Sequence, residues 1–275
     1  MSLPLPRLAI LGTGSMGGAI LTGLLASDAE PAGITVTNRS ADKAAQLASD
    51  RVVSLATDVD PDANRTAVRG ARIVLVAVKP AMVPDLLASI ADALEPDALV
   101  VSVAAGVTVA TMEALVPQVV FRSMPNTPSV VGRGVTGLAR GTRASDEDAA
   151  LVRSFFEAFG VVIEVGEDRI NALSTISGSG PAYVFYLIEQ LTATARQLGF
   201  DAQQARLMVE QTFLGASELL AASDADPAEL RRRVTSPNGT TERAIEQLEA
   251  ADLTDVFDRA TAAALARAEE MAGGS

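Results

Sequence analysis

The chain has 275 residues, 48% of them hydrophobic and 20% charged, with a formal net charge of −12. This is enough apolar material for one large domain or two ordinary ones, and the acidic balance argues against nucleic acid or an anionic membrane surface as a partner. There is no cysteine and no histidine, which excludes disulfides, thiolate nucleophiles, Ser–His–Asp triads and the common zinc sites, and leaves proton chemistry to Lys, Tyr, carboxylates, hydroxyls or water.

Met1–Pro6 lacks the basic start and apolar run of a signal peptide, and no apolar stretch has the length of a membrane span, so a cytoplasmic protein is expected. In chain order, Arg7–Leu11 reads as a strand, Gly17–Ser27 as a helix and Ile34–Asn38 as a second strand. A helix over Ala41–Ser49 and a short strand over Arg51–Leu55 follow. Arg72–Val78, Leu99–Ser102 and Val119–Ser123 are further apolar, β-branched runs, separated by helical stretches at Val83–Ala93 and Thr108–Leu115. Gly134–Ala139 and Val161–Val165 flank a helix at Ser145–Phe159 and extend the sheet. Alternation of this kind predicts an α/β, Rossmann-type doubly wound sheet with both faces covered.

The pattern changes near Asp168, after which only helices are expected: Pro181–Leu198, Asp201–Ala222, Pro227–Arg233, Gly239–Leu248 and Leu253–Met271. Asp201 and Asp226 stand where N-caps belong, and Pro181 and Pro227 suit first-turn positions. The long helix Asp201–Ala222 is apolar on too many sides for one neighbour, so a subunit interface is its expected partner, with the centre of a monomeric bundle the plainer alternative. The division expected from this change is a Rossmann-type domain over residues 1–166 and an all-helical domain over 167–275. Gly273–Ser275 reads as a mobile tail.

Gly12-Thr13-Gly14-Ser15-Met16-Gly17 is a complete G-x-G-x-x-G between a strand and a helix, the context that gives the pattern meaning. Gly12 permits the turn, Gly14 lets a pyrophosphate approach the backbone, and Gly17 lets helix and strand pack. The second strand ends at Asn38-Arg39-Ser40. An NAD site wants a carboxylate there for the ribose hydroxyls. A guanidinium flanked by an amide and a hydroxyl instead suits the 2′-phosphate of NADP(H). In Ala77-Val78-Lys79-Pro80, a lysine sits at the carboxyl end of a parallel strand, where ligands bind, and Pro80 ends the strand.

Taken with Met124-Pro125-Asn126-Thr127-Pro128, Ser177-Gly178-Ser179-Gly180-Pro181-Ala182 and Ser236-Pro237-Asn238-Gly239-Thr240-Thr241, these motifs resemble pyrroline-5-carboxylate reductases, in order and over nearly the whole chain. The resemblance implies reduction of a cyclic imine, 1-pyrroline-5-carboxylate, to L-proline, the last step of proline biosynthesis. NADP(H) would be the cofactor, with NAD(H) a second candidate. It implies that Gly12, Gly14, Ser15, Met16, Gly17, Asn38, Arg39, Ser40, Asn64, Ala77, Val78, Lys79, Pro80, Ala104 and Ala105 hold the cofactor. Ser236, Gly239, Thr240 and Thr241 would hold the substrate. No metal is implied. It also implies a homodimer through the helical domain, with assembly into a decamer open. One departure is visible: the substrate loop usually reads Ser-Pro-Gly-Gly, and Asn238 replaces the first of those glycines.

The residues agree with such chemistry. A basic cyclic imine arrives protonated, so the lack of histidine is no obstacle, and the Thr241 hydroxyl can bond the ring nitrogen. Backbone N–H groups at Gly239–Thr241, where a helix begins, suit the substrate carboxylate. An ordinary capping turn with Thr240 or Thr241 as N-cap is the plainer alternative, and the two are compatible. Ser177–Ala182 either brings backbone close to the nicotinamide or a second subunit, or is a helix start capped by Ser179. Tyr183 and Tyr186 read as packing residues. A β-hydroxyacid dehydrogenase would need a lysine on the helix opening the second domain, and Ile170–Leu198 has none. A non-catalytic NADP(H) sensor would have no use for the Ser236–Thr241 loop.

Overall fold

The computed structural model describes residues 3–273; most of the expected tail lies outside them. By its contacts the chain divides into two compact units, one running to Ser179 and taking in the chain from Ala264 onward, the other Gly180–Ala263.

The strands of the first unit are β1 (Leu3–Leu5), β2 (Leu8–Leu11), β3 (Ala29–Pro31), β4 (Ile34–Asn38), β5 (Val52–Ala56), β6 (Ile73–Val76), β7 (Leu99–Ser102), β8 (Val119–Met124), β9 (Gly134–Arg140) and β10 (Gly160–Glu164). Its helices include α1 (Ser15–Ala26), α2 (Ala41–Leu47), α3 (Ala63–Val68), α4 (Val83–Ile90), α5 (Val109–Glu113), α6 (Asp146–Glu157) and α7 (Glu167–Leu173). Eight strands form one sheet in the order β10-β9-β8-β7-β6-β2-β4-β5, parallel except where β9 runs antiparallel to β8. β1 and β3 pair separately. The order reverses direction at β2, so the ends of β2 and β6 open onto a switch-point crevice where a doubly wound sheet binds ligand.

The central strands β2 and β6 are apolar and buried at every position because both sheet faces are covered there. Leu8 and Ile10 pack with Ile20, Leu21 and Leu24 of α1 and with Phe155 and Phe156 of α6 on one face. Ala9 and Leu11 pack with Ala67 and Val68 of α3 and with Leu86, Leu87 and Ile90 of α4 on the other. Phe155, Phe156 and Phe159 meet edge to face with ring centroids 4.9–5.9 Å apart, contacts worth about 0.5–1.5 kcal/mol each beyond area burial. Ser145 caps α6, accepting the Asp148 N–H at 3.1 Å. α7 also packs on this unit: Ile170 is fully buried beside Met124 and Ala139. Four elements have no counterpart in the sequence pattern, namely α3, α7 and the paired short strands β1 and β3. Each spans less than two periods, too few for a repeat to register.

In the second unit, α8 (Gly180–Gln197), α9 (Ala202–Ala221), α10 (Pro227–Arg233), α11 (Thr240–Ala250) and the start of α12 (Leu253–Gly273) match the expected helices within a few residues. Asp201 and Asp226 cap α9 and α10, each accepting a backbone N–H at 2.8 Å. Between Gly180 and Ala263 only Ala195, Ala205 and Val209 are buried among the apolar residues. Phe185, Leu198, Leu207 and Leu219 are more than half exposed. Three small buried side chains cannot offset the chain entropy of such a unit. No helix among the described residues is long and apolar enough to cross a membrane.

Candidate active site

The glycine loop follows β2. Gly12 has φ +93°, in the left-handed region, and a side chain there would meet the Ala77 carbonyl oxygen and Val78 Cγ1 at 3.0 Å. A Cβ on Gly17 would lie 2.1 Å from the Gly12 carbonyl oxygen, so α1 sits directly on the loop. Nothing stands within 4 Å of where a Gly14 Cβ would project, which leaves the first turn of α1 open to a ligand.

Above the loop lies a cleft of about 390 Å³. Of the residues expected to hold a cofactor, Gly12, Gly14, Asn38, Arg39, Ser40, Asn64, Ala77, Val78 and Lys79 line it. Ser15, Met16, Gly17, Pro80, Ala104 and Ala105 do not. Gly17 is buried behind the loop it supports, Ala104 belongs to the core below the sheet, and Ala105 packs against the Met124 cluster. The wall carries three cations, Arg39, Lys43 and Lys79, and no carboxylate. In a chain of net charge −12, this is a local anion site working against the global field.

Asn38 has a different place from that of a free phosphate donor. Its side chain is 5% exposed, takes a hydrogen bond from the Thr13 hydroxyl and donates to Ser54 Oγ at 3.2 Å. It therefore ties the end of β4 to the glycine loop and to β5. Arg39 is exposed and Ser40, the N-cap residue of α2, makes no side-chain capping bond, so both side chains remain available to a ligand.

Thr13, Thr37, Lys43, Thr57, Met82 and Leu86, none of them among the expected cofactor residues, complete the wall. Met82, at the end of the 3-10 turn that leads into α4, and Leu86 of α4 give the cleft an apolar side. Lys43 donates to the Thr13 carbonyl at 2.5 Å. The available signal was its rarity, since Lys43 and Lys79 are the only lysines in the sequence.

Asn126, 6% exposed, accepts the Val135 N–H at 2.8 Å and donates to the Ser177 carbonyl at 2.9 Å. Ser174–Gly178 forms a π-helical turn, a form frequent at functional sites, and Ser179 closes it by donating its backbone N–H to the Ser174 carbonyl at 2.9 Å.

In the second unit, Ser236–Thr241 is a tight turn opening α11. Gly239 takes the N-cap position, rather than Thr240 or Thr241. Its N–H donates to the Ser236 carbonyl at 2.9 Å, and Asn238 occupies the left-handed region with φ +58°. Asparagine tolerates that conformation better than other side-chain-bearing residues, so the turn forms without the family's glycine. The Arg243 N–H reaches the Gly239 carbonyl at 3.4 Å, so the N–H groups of Thr240, Thr241 and Glu242 precede the first in-helix bond. Ser236 and the Thr241 side chain are exposed.

Family models match both halves of the chain. Residues 167–271 match the family model described as pyrroline-5-carboxylate reductase dimerisation. Residues 7–106 match one described as NADP oxidoreductase, coenzyme F420-dependent. Pyrroline-5-carboxylate reductase of Pseudomonas aeruginosa is 35% identical, covering 97% of each chain. That of Corynebacterium melassecola is 35% identical over 96% of this chain and 98% of its own. Among solved structures, a pyrroline-5-carboxylate reductase from Coxiella burnetii superposes with a TM-score of 0.86 at 37% identity, covering 96% of this chain and 97% of that one. The Plasmodium falciparum pyrroline carboxylate reductase with NADP bound gives 0.81 at 25% identity, covering 97% and 98%.

Proposed function

The chain belongs to the pyrroline-5-carboxylate reductase family, and we propose that it reduces 1-pyrroline-5-carboxylate to L-proline with NADPH as hydride donor, the final step of proline biosynthesis. The observation that carries the reading is the cleft at the switch point. It has glycine-loop geometry at one side, three cations and no carboxylate on its wall. That composition suits a dinucleotide bearing an extra phosphate and disfavours one read by a ribose-binding acid. The residues present fit the cofactor, which when bound supplies hydride from nicotinamide C4.

The protein's own part is binding and orientation. Gly12–Gly17 and the first turn of α1 receive the pyrophosphate, and Arg39 with Ser40 receives the 2′-phosphate. Asn64, Ala77, Val78, Lys79 and Pro80 line or support the cofactor's path, and Ala104 and Ala105 back its nicotinamide end. The N–H groups of Thr240 and Thr241 hold the substrate carboxylate, and the Thr241 hydroxyl bonds the ring nitrogen, with Gly239 and Ser236 shaping the turn through their backbone hydrogen bond. The substrate arrives as the iminium; hydride adds to its carbon, the C=N π pair moves to nitrogen, and the neutral amine of proline results. No strong general acid is required. Holding two reactants in register is the main source of rate.

The exposed apolar helices of Gly180–Ala263 form the homodimer, with residues 167–275 as the dimerisation region and further assembly to a decamer on the same basis. The protein works in the cytoplasm, and NADH is a secondary donor. Oxidation of NADPH, followed by its near-ultraviolet absorbance on adding pyrroline-5-carboxylate, tests the activity. No substrate-dependent loss of absorbance would sink it.

A further inference from the structure

Lysine is scarce in this chain, which meets nearly all its need for cations with arginine, yet both lysines stand on the wall of one cleft. Lys79 follows β6 at the carboxyl edge of the sheet. Lys43 lies in the first turn of α2, four residues after Arg39. The carbonyl oxygen that takes its ammonium proton, that of Thr13, belongs to the glycine loop, 30 positions earlier in the chain. Thr13 is itself 3% exposed, and its hydroxyl bonds the Asn38 side chain. The Lys43 ammonium is thus fixed between the glycine loop and the Arg39–Ser40 turn. An ammonium has three donors. One is spent on Thr13, and the other two remain for a ligand in a cleft without a carboxylate.

We propose that Lys43 is a specificity-determining residue, whose ammonium, positioned by the Thr13 carbonyl, closes with Arg39 and Ser40 a three-armed clamp on the 2′-phosphate of NADP(H). The inference rests on the reading of the cleft as an NADPH site and names the residue that completes its selectivity. The competing role for Lys43 is a structural tether of the glycine loop. The two roles differ in what they affect. The glycine loop serves NADH and NADPH alike, so loss of a tether weakens both. Loss of a phosphate contact weakens only the phosphorylated ligand.

Calorimetric titration of the full chain with 2′,5′-ADP and with 5′-AMP separates them. Lys43→Met is expected to weaken 2′,5′-ADP about tenfold, the scale of one charge-assisted hydrogen bond at a solvated site, and to leave 5′-AMP within twofold. Lys43→Arg should recover most of the loss. The ionic-strength dependence of 2′,5′-ADP binding should be shallower in Lys43→Met than in the wild type. Equal weakening of both ligands, or no weakening of 2′,5′-ADP, overturns the assignment of Lys43 while leaving the NADPH reading intact. A wild-type chain that binds 2′,5′-ADP no better than 5′-AMP overturns the NADPH reading, and the clamp with it.

Discussion

The Glu242 carboxylate accepts the backbone N–H of Asn238 at 2.8 Å, bridging the one turn in which an asparagine has taken a left-handed glycine's place. Glu242 so satisfies a donor at the start of α11, but it also sets a negative charge beside the N–H groups proposed for the substrate carboxylate. Glu242→Gln keeps an acceptor and removes that charge. The Michaelis constant for the imine acid should fall a few-fold while NADPH binding is unchanged. An unchanged constant would argue that the substrate carboxylate binds elsewhere.

Asn238→Ala places a side chain with no local hydrogen bonding into the same left-handed backbone, at a cost of about 1 kcal/mol. Asn238→Gly removes the strain but loosens the unfolded chain, and the two effects nearly cancel. Thermal unfolding should therefore rank wild type and Asn238→Gly together, above Asn238→Ala. The reverse order would mean that Asn238 makes a specific contact in the assembled protein.

Thr241→Ala deletes the hydroxyl assigned to the ring nitrogen. A loss of about 1–1.5 kcal/mol in kcat/KM, roughly tenfold, is expected, with the NADPH dissociation constant unmoved because Thr241 lies outside the cofactor cleft. Equal loss in both quantities would remove Thr241 from the substrate site.

Arg39→Asp exchanges a phosphate ligand for an acid that can accept from ribose hydroxyls. NADPH should be weakened at least tenfold and NADH should gain. The ratio of the two kcat/KM values reads the outcome directly, and an unchanged ratio would show that Arg39 does not face the phosphate.

Glu164 at the end of β10 accepts hydrogen bonds from Arg140 on β9 and, at 2.7 Å, from Arg153 on α6, and Arg140 also donates to Asp146 at 2.6 Å. The Arg140 hydrogen bond is the chief reason its carboxyl is held below its ordinary value of 4.5, against the opposing effect of burial. A lowered folded-state pKa stabilises the fold fully above about pH 4.5, and this contribution is lost as pH falls through the lowered value. Glu164→Gln should lower stability by about 1 kcal/mol at neutral pH, and the difference from wild type should shrink in acid. Urea midpoints that stay parallel from pH 7 to pH 3 would contradict this.

Much of the fold was legible because parallel strands buried on both faces are rich in apolar and β-branched residues; Ile34–Asn38 and Leu99–Ser102 coincide with β4 and β7. The capping aspartates were legible for a similar reason, since a cap is a short-range arrangement. α3 was missed although it carries Asn64, because six residues give less than two turns of periodicity. The role of Asn38 was not legible either. Its partners Thr13 and Ser54 lie 25 and 16 positions away, and only the folded sheet brings them to it.

By itself, the sequence determined the doubly wound sheet, the glycine loop and the cationic end of the second strand, together with the exclusion of histidine and cysteine chemistry. These depend on residue type and on spacings within a single βα unit, which local sterics and burial enforce. Only the tertiary structure decided which side chains face the cleft and which hold its frame. It turned Asn38 inward, set Lys43 against Thr13, and left the wall without a carboxylate. It also showed that Gly180–Ala263 has almost no core of its own. Such facts are set by contacts between residues far apart in the chain, where no local periodicity can register them.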